Sequence, residues 1–420
     1  MSTIKFYTLG CKVNQYETQS MREQFIRAGF KELDNHKPAD IYLINTCTVT
    51  QRADSESLNF MRRAKRENPK AKILVTGCLT ELDEDKIKKV DSEAVIVKKG
   101  LSPPELNSSQ LKGTVPKING ITYFKGHTRA FLKIQDGCNN FCSYCKVPLV
   151  RGTSKSKPLD EITQEADKLV KNDFKEIVLT GICLGAYGGD LNQKRSLVEV
   201  IKELEKIEGL FRIRLSSIEA GDISEELINT LVQSKKLCRH LHIPIQSGDD
   251  EILKKMKRKY CRDDYLNLIK KIKSRIPQVA ITTDVLVGFP GETEANFQNT
   301  VELIKEILPL KVHIFPYSRR LGTPAASHFA DEISPDILGE RIARLKNIAE
   351  TCAFVYEEQF LHKSLTVLIE GEVKNKFNFW QGYTDNYIKI LIKSNLNLKN
   401  QLLPLKLEKI IGTYVLAEGC

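Results

Sequence analysis

Short apolar runs rich in β-branched residues recur in the first hundred residues, at 4–9, 40–45 and 71–76. Runs of this length and composition are typical of buried strands in a parallel sheet. Amphipathic stretches at 17–28 and 54–67 separate them and predict helices. The alternation predicts an open parallel α/β domain over residues 1–115. Its last part is a segment rich in the turn formers proline, serine and glycine.

A second series of alternating strands and helices runs from residue 124 to residue 355. Strand candidates lie at 131–135, 176–180, 212–217, 240–246, 280–287 and 311–317. Helix candidates lie at 160–171, 196–206, 249–257, 263–275 and 294–307. Successive βα units indicate a parallel sheet, and six are too few for the usual eight-stranded closure. We therefore expect a partial (β/α)6 barrel whose active face lies at the carboxyl ends of its strands.

The pattern changes in residues 358–420, where clear helical periodicity is absent. Strand candidates at 365–370, 387–392 and 410–417 predict a small antiparallel β barrel. Lysines alternate there with the aromatic residues Phe377, Phe379, Trp380, Tyr383 and Tyr387. Small barrels of this composition often bind RNA by stacking on bases and contacting phosphates. For any single aromatic residue, the barrel core is the other interpretation.

Net charge points to a polyanionic partner. The 420 residues carry a formal charge of +11, and residues 254–275 hold ten basic and two acidic side chains. Nucleic acid is the first candidate partner, although such runs are often solvated helix faces. No apolar run is long enough for a membrane span, and the first strand leaves no room for a secretory signal. We therefore expect a cytoplasmic protein without a membrane partner, in which the eleven cysteines are metal ligands or free thiols.

Three of these cysteines, Cys138, Cys142 and Cys145, lie in one short segment after the strand candidate at 131–135. Three residues separate the first pair and two separate the second. Three thiolates in one loop can hold three irons of a cubane cluster and leave the fourth iron open for chemistry. This spacing is the signature of radical S-adenosylmethionine (SAM) enzymes. A zinc site that lacks one ligand is the alternative.

A second trio, Cys11, Cys47 and Cys78, follows the three apolar runs of the N-terminal domain. In an open parallel sheet, ligands collect beyond the carboxyl ends of the strands. We therefore expect these three thiols to converge on one point. The alternative is that they are unrelated small core residues, because free cysteine is often buried.

Three segments around these cysteines resemble motifs of the radical SAM methylthiotransferases. They are residues 8–18 (Thr-Leu-Gly-Cys-Lys-Val-Asn-Gln-Tyr-Glu-Thr), 45–50 (Asn-Thr-Cys-Thr-Val-Thr) and 75–78 (Val-Thr-Gly-Cys). The resemblance covers nearly the whole chain, and the C-terminal barrel looks like an RNA-binding TRAM domain. It implies two [4Fe–4S] clusters: one on Cys138, Cys142 and Cys145 that binds SAM, and an auxiliary one on the N-terminal trio.

The opening motif is most similar to the branch that modifies N6-threonylcarbamoyladenosine in transfer RNA. The resemblance implies that one SAM yields a 5′-deoxyadenosyl radical, which removes hydrogen from C2 of the adenine. Sulfur from the auxiliary cluster and a methyl group from a second SAM are then added. The implied partners are a tRNA anticodon stem-loop, a reductant such as flavodoxin or ferredoxin, and a sulfur donor. We nominate no catalytic acid or base, because an aromatic C–H needs the reactivity of a cofactor.

Further positions match the family less specifically. The resemblance implies that SAM binding involves Tyr144, Gly181, Ser217, Glu219, Gln246 and Asp284. A turn after a strand is the alternative for each. Cys183 departs from the family, in which we expect a polar residue; it is either an incidental small residue or a thiol near SAM. Arg319 and Arg320 face either RNA phosphate or solvent. Four further cysteines are interpreted as structural: Cys238, Cys261, Cys352 and Cys420.

Other functions remain open at this point. Within the family, the substrate is alternatively N6-isopentenyladenosine in tRNA or an aspartate of a ribosomal protein. A non-catalytic RNA-binding protein with structural metal sites is an alternative of a different class. A radical SAM enzyme that does not insert sulfur is a further one, but it leaves the N-terminal trio unexplained.

Overall fold

The computed structural model describes residues 2–33, 37–97, 120–329, 332–374 and 376–419. The predicted end of the first domain, at residue 115, lies outside these ranges. No helix within them is long and apolar enough to cross a membrane.

The described residues up to 97 form a parallel five-stranded sheet with helices between its strands. Its elements are β1 Thr3–Thr8, α1 Lys12–Arg27, β2 Lys31–Glu32, β3 Ile41–Thr46, α2 Gln51–Glu67, β4 Lys72–Gly77, α3 Glu84–Val90 and β5 Val95–Ile96. The strand order is β2–β1–β3–β4–β5. The predicted runs are the central strands β1, β3 and β4, and every residue of β3 is buried. The expected open parallel α/β architecture is confirmed.

The central part is an open parallel barrel with its strands in chain order. Its elements are β6 Arg129–Lys133, β7 Gln135–Asp136, α4 Val147–Arg151, β8 Lys155–Ser156, α5 Leu159–Lys171, β9 Glu176–Thr180, α6 Leu197–Glu205, β10 Arg212–Leu215, α7 Glu225–Gln233, β11 His240–His242, α8 Asp250–Lys255, α9 Arg262–Arg275, β12 Ala280–Val287, α10 Glu294–Ile307, β13 Lys311–Pro316, α11 Pro324–His328 and α12 Pro335–Glu358. Two three-stranded sheets, β6–β9–β10 and β11–β12–β13, are joined by single parallel bridges such as Ser217 to His242. The predicted partial barrel is therefore confirmed.

Strand β11 is shorter than the predicted 240–246. It ends at His242, because Pro244 has no N–H to donate to a ladder. Gln246, two residues later, has a φ of +70° and turns the chain towards the barrel mouth. Helix α12 was not among the predicted helices. It begins where the Ser334 hydroxyl accepts a hydrogen bond from the Ile337 amide, and its side chains pack on β13 and α10.

The C-terminal part is a closed barrel with the strand order β14–β15–β16–β18–β17. Its strands are β14 Ser364–Glu372, β15 Phe379–Thr384, β16 Lys389–Lys393, β17 Leu402–Ile411 and β18 Tyr414–Gly419. The predicted strand at 410–417 is wrong: Gly412, with a φ of +59°, divides it into the end of β17 and the start of β18. Strand β15 was missed. The barrel is also not purely antiparallel, because β16 and β18 pair in parallel. A closed ring of five strands cannot alternate direction throughout, so at least one parallel pair is required.

This C-terminal barrel covers the amino-terminal ends of the central strands. Arg212 and Arg214 donate hydrogen bonds to backbone carbonyls of β14, of the end of β15 and of the turn after it, and Arg129 pairs with Glu370. Buried Glu176 accepts from Arg214. Removing one partner of such a buried pair typically costs about 3–5 kcal/mol. The N-terminal domain and the cysteine loops lie at the opposite, carboxyl-terminal ends of the strands.

Candidate functional site

The loop that carries Cys138, Cys142 and Cys145 is held by backbone hydrogen bonds. The Cys138 amide donates to the Gly152 carbonyl at 3.1 Å, and the Cys145 amide donates to the Cys142 carbonyl at 3.0 Å. The loop begins at Gly137, whose φ is +70°. A Cβ there would lie 2.0 Å from the Thr153 carbonyl oxygen, so only glycine fits.

Each of the three sulfur atoms in this loop accepts one N–H hydrogen bond. The donors are the Asn140 amide to Cys138, the Val147 amide to Cys145 and the Arg258 guanidinium to Cys142, each at 3.4 Å. Burial raises the pKa of Cys145 to about 12. A thiolate at that position therefore needs the charge of a bound metal, which deprotonates a coordinating thiol. Three converging sulfurs with N–H donors fit a [4Fe–4S] cluster.

Arg258 is a site residue that the sequence did not single out. It lies in the basic run 254–275, which is typical of a solvated helix face, but its side chain is only 4% exposed. The guanidinium forms a salt bridge with Glu219 and contacts the Tyr260 hydroxyl. The buried Arg258 side chain thus contacts both Glu219, a predicted SAM contact, and the sulfur of Cys142.

Replacing Arg258 with methionine is expected to lower the reduction potential of the reconstituted SAM cluster by tens of millivolts. The substitution removes both a positive charge and a hydrogen bond from a ligand sulfur, and both favour the reduced cluster. The measurement is a potentiometric titration followed by electron paramagnetic resonance. Lys254→Met, which removes an exposed charge on α8, is the control. An unchanged potential in Arg258→Met would contradict the assigned role.

Cys11, Cys47 and Cys78 follow three neighbouring strands. The register pairs Thr8 with Asn45 and Thr46 with Gly77, so the strand ends lie side by side. A Cβ built on Gly10 would lie 2.9 Å from the Cys47 sulfur, which shows how closely the Cys11 loop approaches Cys47.

The three thiols also affect one another electrostatically. Burial, with smaller contributions from Cys78 and Cys11, raises the pKa of Cys47 to about 11. The Asn14 amide group donates to the carbonyls of Leu9 at 2.7 Å and Thr46 at 2.9 Å, which ties two of the loops together. Three thiols at converging loops fit a second cluster with one open corner.

One cavity of about 410 Å³ lies between the two trios. Cys11 and Cys145 are both in its wall, together with the sequence-predicted residues Tyr144, Gln246 and Asp284. A group held in this cavity would be within reach of both sets of thiols.

Two further predicted residues lie elsewhere. Glu219 lines a neighbouring cleft of about 220 Å³ with Cys142 and Arg258. Gly181 is not in the wall of either cavity; a Cβ on it would meet the Gln135 side chain at 2.9 Å. Ser217 is likewise absent from both walls and pairs with His242 across the sheet junction.

Two buried arginines fix the trios relative to each other. Arg151, next to the SAM-cluster loop, donates to Asp136 and to Glu17 of α1. Arg320 donates to the Thr48 carbonyl, one residue after Cys47, and to Asp54 at 2.7 Å. The expectation that Arg320 faces RNA phosphate or solvent is therefore wrong, because it is buried in this contact between domains.

Arg319, unlike Arg320, donates no hydrogen bond to the Cys47 loop in the part of the chain that the structure describes. Its guanidinium donates to the Ala326 carbonyl at 2.7 Å and approaches Glu332, while part of the side chain stays exposed.

Cys183 lies beside the SAM-cluster loop. Its hydrogen bond to Cys138 lowers the pKa of Cys138 to about 7. The Cys183 sulfur is 3.6 Å from the side-chain nitrogen Nδ2 of Asn140 and 3.5 Å from Oδ2 of Asp222. Of the two interpretations of this residue, a thiol next to the cofactor site fits this position. Two cysteines interpreted as structural are buried, Cys238 and Cys352. Cys261 precedes α9, and Cys420 lies outside the described residues.

Polar side chains also line the inside of the central barrel. His242 Nε2 lies 3.2 Å from Asp284 Oδ1, and the possible ligand atoms of His242, Asp284 and His313 all lie within 4.8 Å of one another. The Thr282 hydroxyl is 2.9 Å from His242 Nδ1 and fixes that ring. Sequence reasoning singled out only Asp284. Strand alternation was the available signal, since 282 and 284, like 240 and 242, share one face.

Family models and relatives agree with this geometry. A model of the radical SAM superfamily matches residues 132–304, and a model described as uncharacterized protein family UPF0004 matches residues 3–98. A Bacillus subtilis protein named threonylcarbamoyladenosine tRNA methylthiotransferase MtaB is 39% identical over 97% of this chain and 94% of its own length. A Thermotoga maritima protein of the same name is 38% identical over 93% of this chain and 91% of its own.

Another relative carries a different name. A Clostridium tetani protein named tRNA-2-methylthio-N(6)-dimethylallyladenosine synthase is 36% identical over 96% of this chain and 93% of its own length. Among solved structures, the radical SAM methyltransferase TsrM of Kitasatospora setae matches with a TM-score of 0.57 at 13% identity. The match covers 83% of this chain and 91% of that one. At this identity the likeness shows the fold.

Proposed function

This chain belongs to the radical SAM methylthiotransferases, and we propose that it converts N6-threonylcarbamoyladenosine next to the tRNA anticodon to its 2-methylthio derivative. Membership implies a [4Fe–4S] cluster and SAM as cofactors. It also sets aside the alternative of a non-catalytic RNA-binding protein. The relatives named MtaB support the threonylcarbamoyl substrate.

The observation that carries the proposal is the cavity shared by Cys11 and Cys145. When bound, the cluster on the Cys138 loop supplies the electron that cleaves SAM, and we propose that a second cluster supplies the sulfur, with two SAM consumed per turnover. One cysteine of each trio lines this cavity. An adenine held there would present C2 to both without leaving the protein, which excludes water from a reactive intermediate.

The protein's own residues bind and orient in this proposal. Cys138, Cys142 and Cys145 hold the SAM cluster, and Cys11, Cys47 and Cys78 hold the auxiliary one. Tyr144, Gln246 and Asp284 orient the groups in the shared cavity. Glu219 and Arg258 present charges of both signs to the polar end of SAM in the adjacent cleft. Gly181 follows β9 and Ser217 follows β10, and their contact with SAM stays a prediction.

We propose that the C-terminal barrel contacts tRNA through its exposed surface. Phe377 is 85% exposed. Tyr383 and Tyr387 are not available for bases, because they stack on each other and on Arg129. A reductant such as flavodoxin or ferredoxin and a sulfur donor complete the partners, and we expect the reaction to occur in the cytoplasm.

Replacing Phe377 with serine is expected to weaken tRNA binding by about tenfold, since stacking on an aromatic ring contributes roughly 1–3 kcal/mol per base. Affinity for SAM should not change. The measurement is a tRNA titration followed by fluorescence anisotropy. Leu396→Ser is the control, because it removes another exposed apolar side chain of the same barrel (72% exposed) that has no ring. Equal losses in both variants would argue against stacking.

The function is tested by anaerobic reconstitution with iron and sulfide, followed by dithionite, SAM and tRNA that carries N6-threonylcarbamoyladenosine. Mass spectrometry of the nucleosides is expected to show a product heavier by a methylthio group. Cleavage of SAM without this product would contradict the proposed substrate. Parallel reactions with N6-isopentenyladenosine tRNA and with ribosomal protein would then identify the alternatives. N6-isopentenyladenosine is the second candidate, because of relatives such as that of Clostridium tetani.

A further inference from the structure

A polar chamber lies inside the central barrel, next to the cavity between the cysteine trios. We define this inner chamber by Lys12, His242, Asp284 and His313. Asp284 also lies in the wall of the shared cavity, so the inner chamber adjoins that cavity. A substituent on an adenine held between the trios would therefore point towards these side chains.

Lys12 enters this chamber from the N-terminal domain. It is the first residue of α1 and directly follows Cys11. Its ammonium is influenced by the charges of Asp284, Arg129 and Arg214 and by Tyr387, which all belong to the barrel or its floor. The residue is nevertheless exposed to solvent. Cys11, the residue before Lys12, lines the shared cavity together with Asp284, so Lys12 begins α1 at the side that faces the central barrel.

Lys12 has no partner of its own. Among residues 2–33, 37–97 and the other described ranges, its ammonium has neither a hydrogen bond nor a salt bridge. An unpaired cation at the edge of a concave polar site attracts an anionic guest, because low-dielectric walls focus its field.

The floor of the chamber is also cationic. Three arginines, Arg129, Arg212 and Arg214, face two carboxylates, Glu176 and Glu370. One positive charge therefore exceeds the local negative charge. This excess adds to the potential that an anionic group would meet inside the barrel.

The chamber also contains two histidines, and His313 is polar but does not add charge. Burial lowers the pKa of His313 to about 4, so its ring is neutral at neutral pH. His242 lies against Asp284, and its other nitrogen contacts Thr282. His242 and His313 can exchange hydrogen bonds with hydroxyl and carbonyl groups of a guest.

We propose that the inner chamber binds the anionic end of the substituent on N6 of the substrate adenine, with Lys12 paired to its carboxylate. The inference rests on the proposed function and names Lys12 as the residue that determines specificity. A threonylcarbamoyl group carries a carboxylate, a hydroxyl and carbonyls, which match Lys12 and the two histidines. An isopentenyl group has none of these, and it would displace water from the unpaired ammonium without replacing its hydrogen bonds.

A metal ion is a weaker occupant of the same place. The spacing of His242, Asp284 and His313 suits a divalent cation. However, the positive charge of Lys12 acts on His313, and the floor adds a further excess of positive charge. The local potential thus opposes a dication and favours a carboxylate.

The test compares two anticodon stem-loops. One carries N6-threonylcarbamoyladenosine, and the other carries the same group with its carboxylate converted to the primary amide. Dissociation constants are measured with the reconstituted holoenzyme and SAM but without reductant, so that no turnover occurs. The wild-type protein is expected to bind the acid about tenfold more tightly than the amide, as is usual for a hydrogen-bonded charge pair.

Lys12→Met is expected to lose this preference while its affinity for the amide stays the same. Lys12→Arg should retain most of the preference, because it keeps the charge. Lys89→Met, which removes an exposed lysine of the same domain, should behave as the wild type. A Lys12→Met protein that still prefers the acid tenfold would overturn the inference.

A second variant acts in the opposite direction and covers the case in which Lys12→Met loses its clusters. Asp284→Asn removes a negative charge from the chamber, so the preference for the acid should increase several-fold. No increase would overturn the inference. Product formation by the wild type is scored separately: a protein that methylthiolates neither stem-loop would refute the proposed function, whereas equal binding of acid and amide would refute only the role of the chamber.

Discussion

Replacing Cys142 with alanine is expected to abolish the cleavage of SAM to 5′-deoxyadenosine. Cys142 is the middle cysteine of the loop and a proposed cluster ligand, and its sulfur accepts the hydrogen bond from Arg258. Two remaining thiols leave two irons of a cubane without protein ligands, and such a cluster is not retained. The iron content should fall to about four atoms per chain, those of the auxiliary cluster. The measurements are iron and sulfide analysis and chromatography of 5′-deoxyadenosine after reduction with dithionite.

The matched control is Cys352→Ala. Cys352 is also a buried thiol of the central domain, but it lies on α12, away from both trios. This variant should keep its iron and cleave SAM at a rate close to the wild type. Persistent SAM cleavage in Cys142→Ala would contradict the assignment of the SAM cluster, and loss of cleavage in both variants would indicate misfolding instead.

The positions of the cluster cysteines followed from the sequence because strand ends in a parallel sheet are predictable. Short apolar runs identify the strands, and parallel strands end at one edge. Each cysteine of the N-terminal trio lies two residues after such a run. The convergence of Cys11, Cys47 and Cys78 therefore required no knowledge of tertiary contacts beyond strand order.

The buried arginines of the site could not be predicted in this way. Arg258 pairs with Glu219 and Arg320 with Asp54, and 39 and 266 residues respectively separate the partners along the chain. From the neighbouring residues alone, Arg258 is one of ten basic side chains in the run 254–275. Whether such a side chain is solvated or buried depends on which carboxylate the fold places beside it.

The C-terminal barrel was predicted less completely for a local reason. Strand β15 contains Gly382, where a Cβ would lie 2.3 Å from the Leu368 carbonyl oxygen. Close packing of two strands requires glycine here, and glycine lowers the strand propensity that the sequence shows. Strand β17 contains Pro404 and charged residues in alternation, which conceal its pairing with β14 and β18.

Replacing Cys47 with alanine is expected to uncouple SAM cleavage from formation of the methylthio product. SAM cleavage should continue, because the loop of Cys142 and its N–H donors lie in the central domain and are not altered. The methylthio product should disappear, since a second cluster that lacks one of its three ligands is not retained. Alanine is smaller than cysteine, so it fits against Gly10 without a clash. The measurement is the ratio of 5′-deoxyadenosine to methylthiolated nucleoside in one reaction.

Double substitution provides the control for this second prediction. Ligands of one cluster act as a unit, so Cys47→Ala combined with Cys78→Ala should be no worse than either single variant. Cys238→Ala, a buried thiol beside Arg214 and remote from both trios, should form normal product. Normal product from Cys47→Ala would show that the N-terminal trio is not required for sulfur insertion. Loss of SAM cleavage in the same variant would show that the two cysteine trios are not independent.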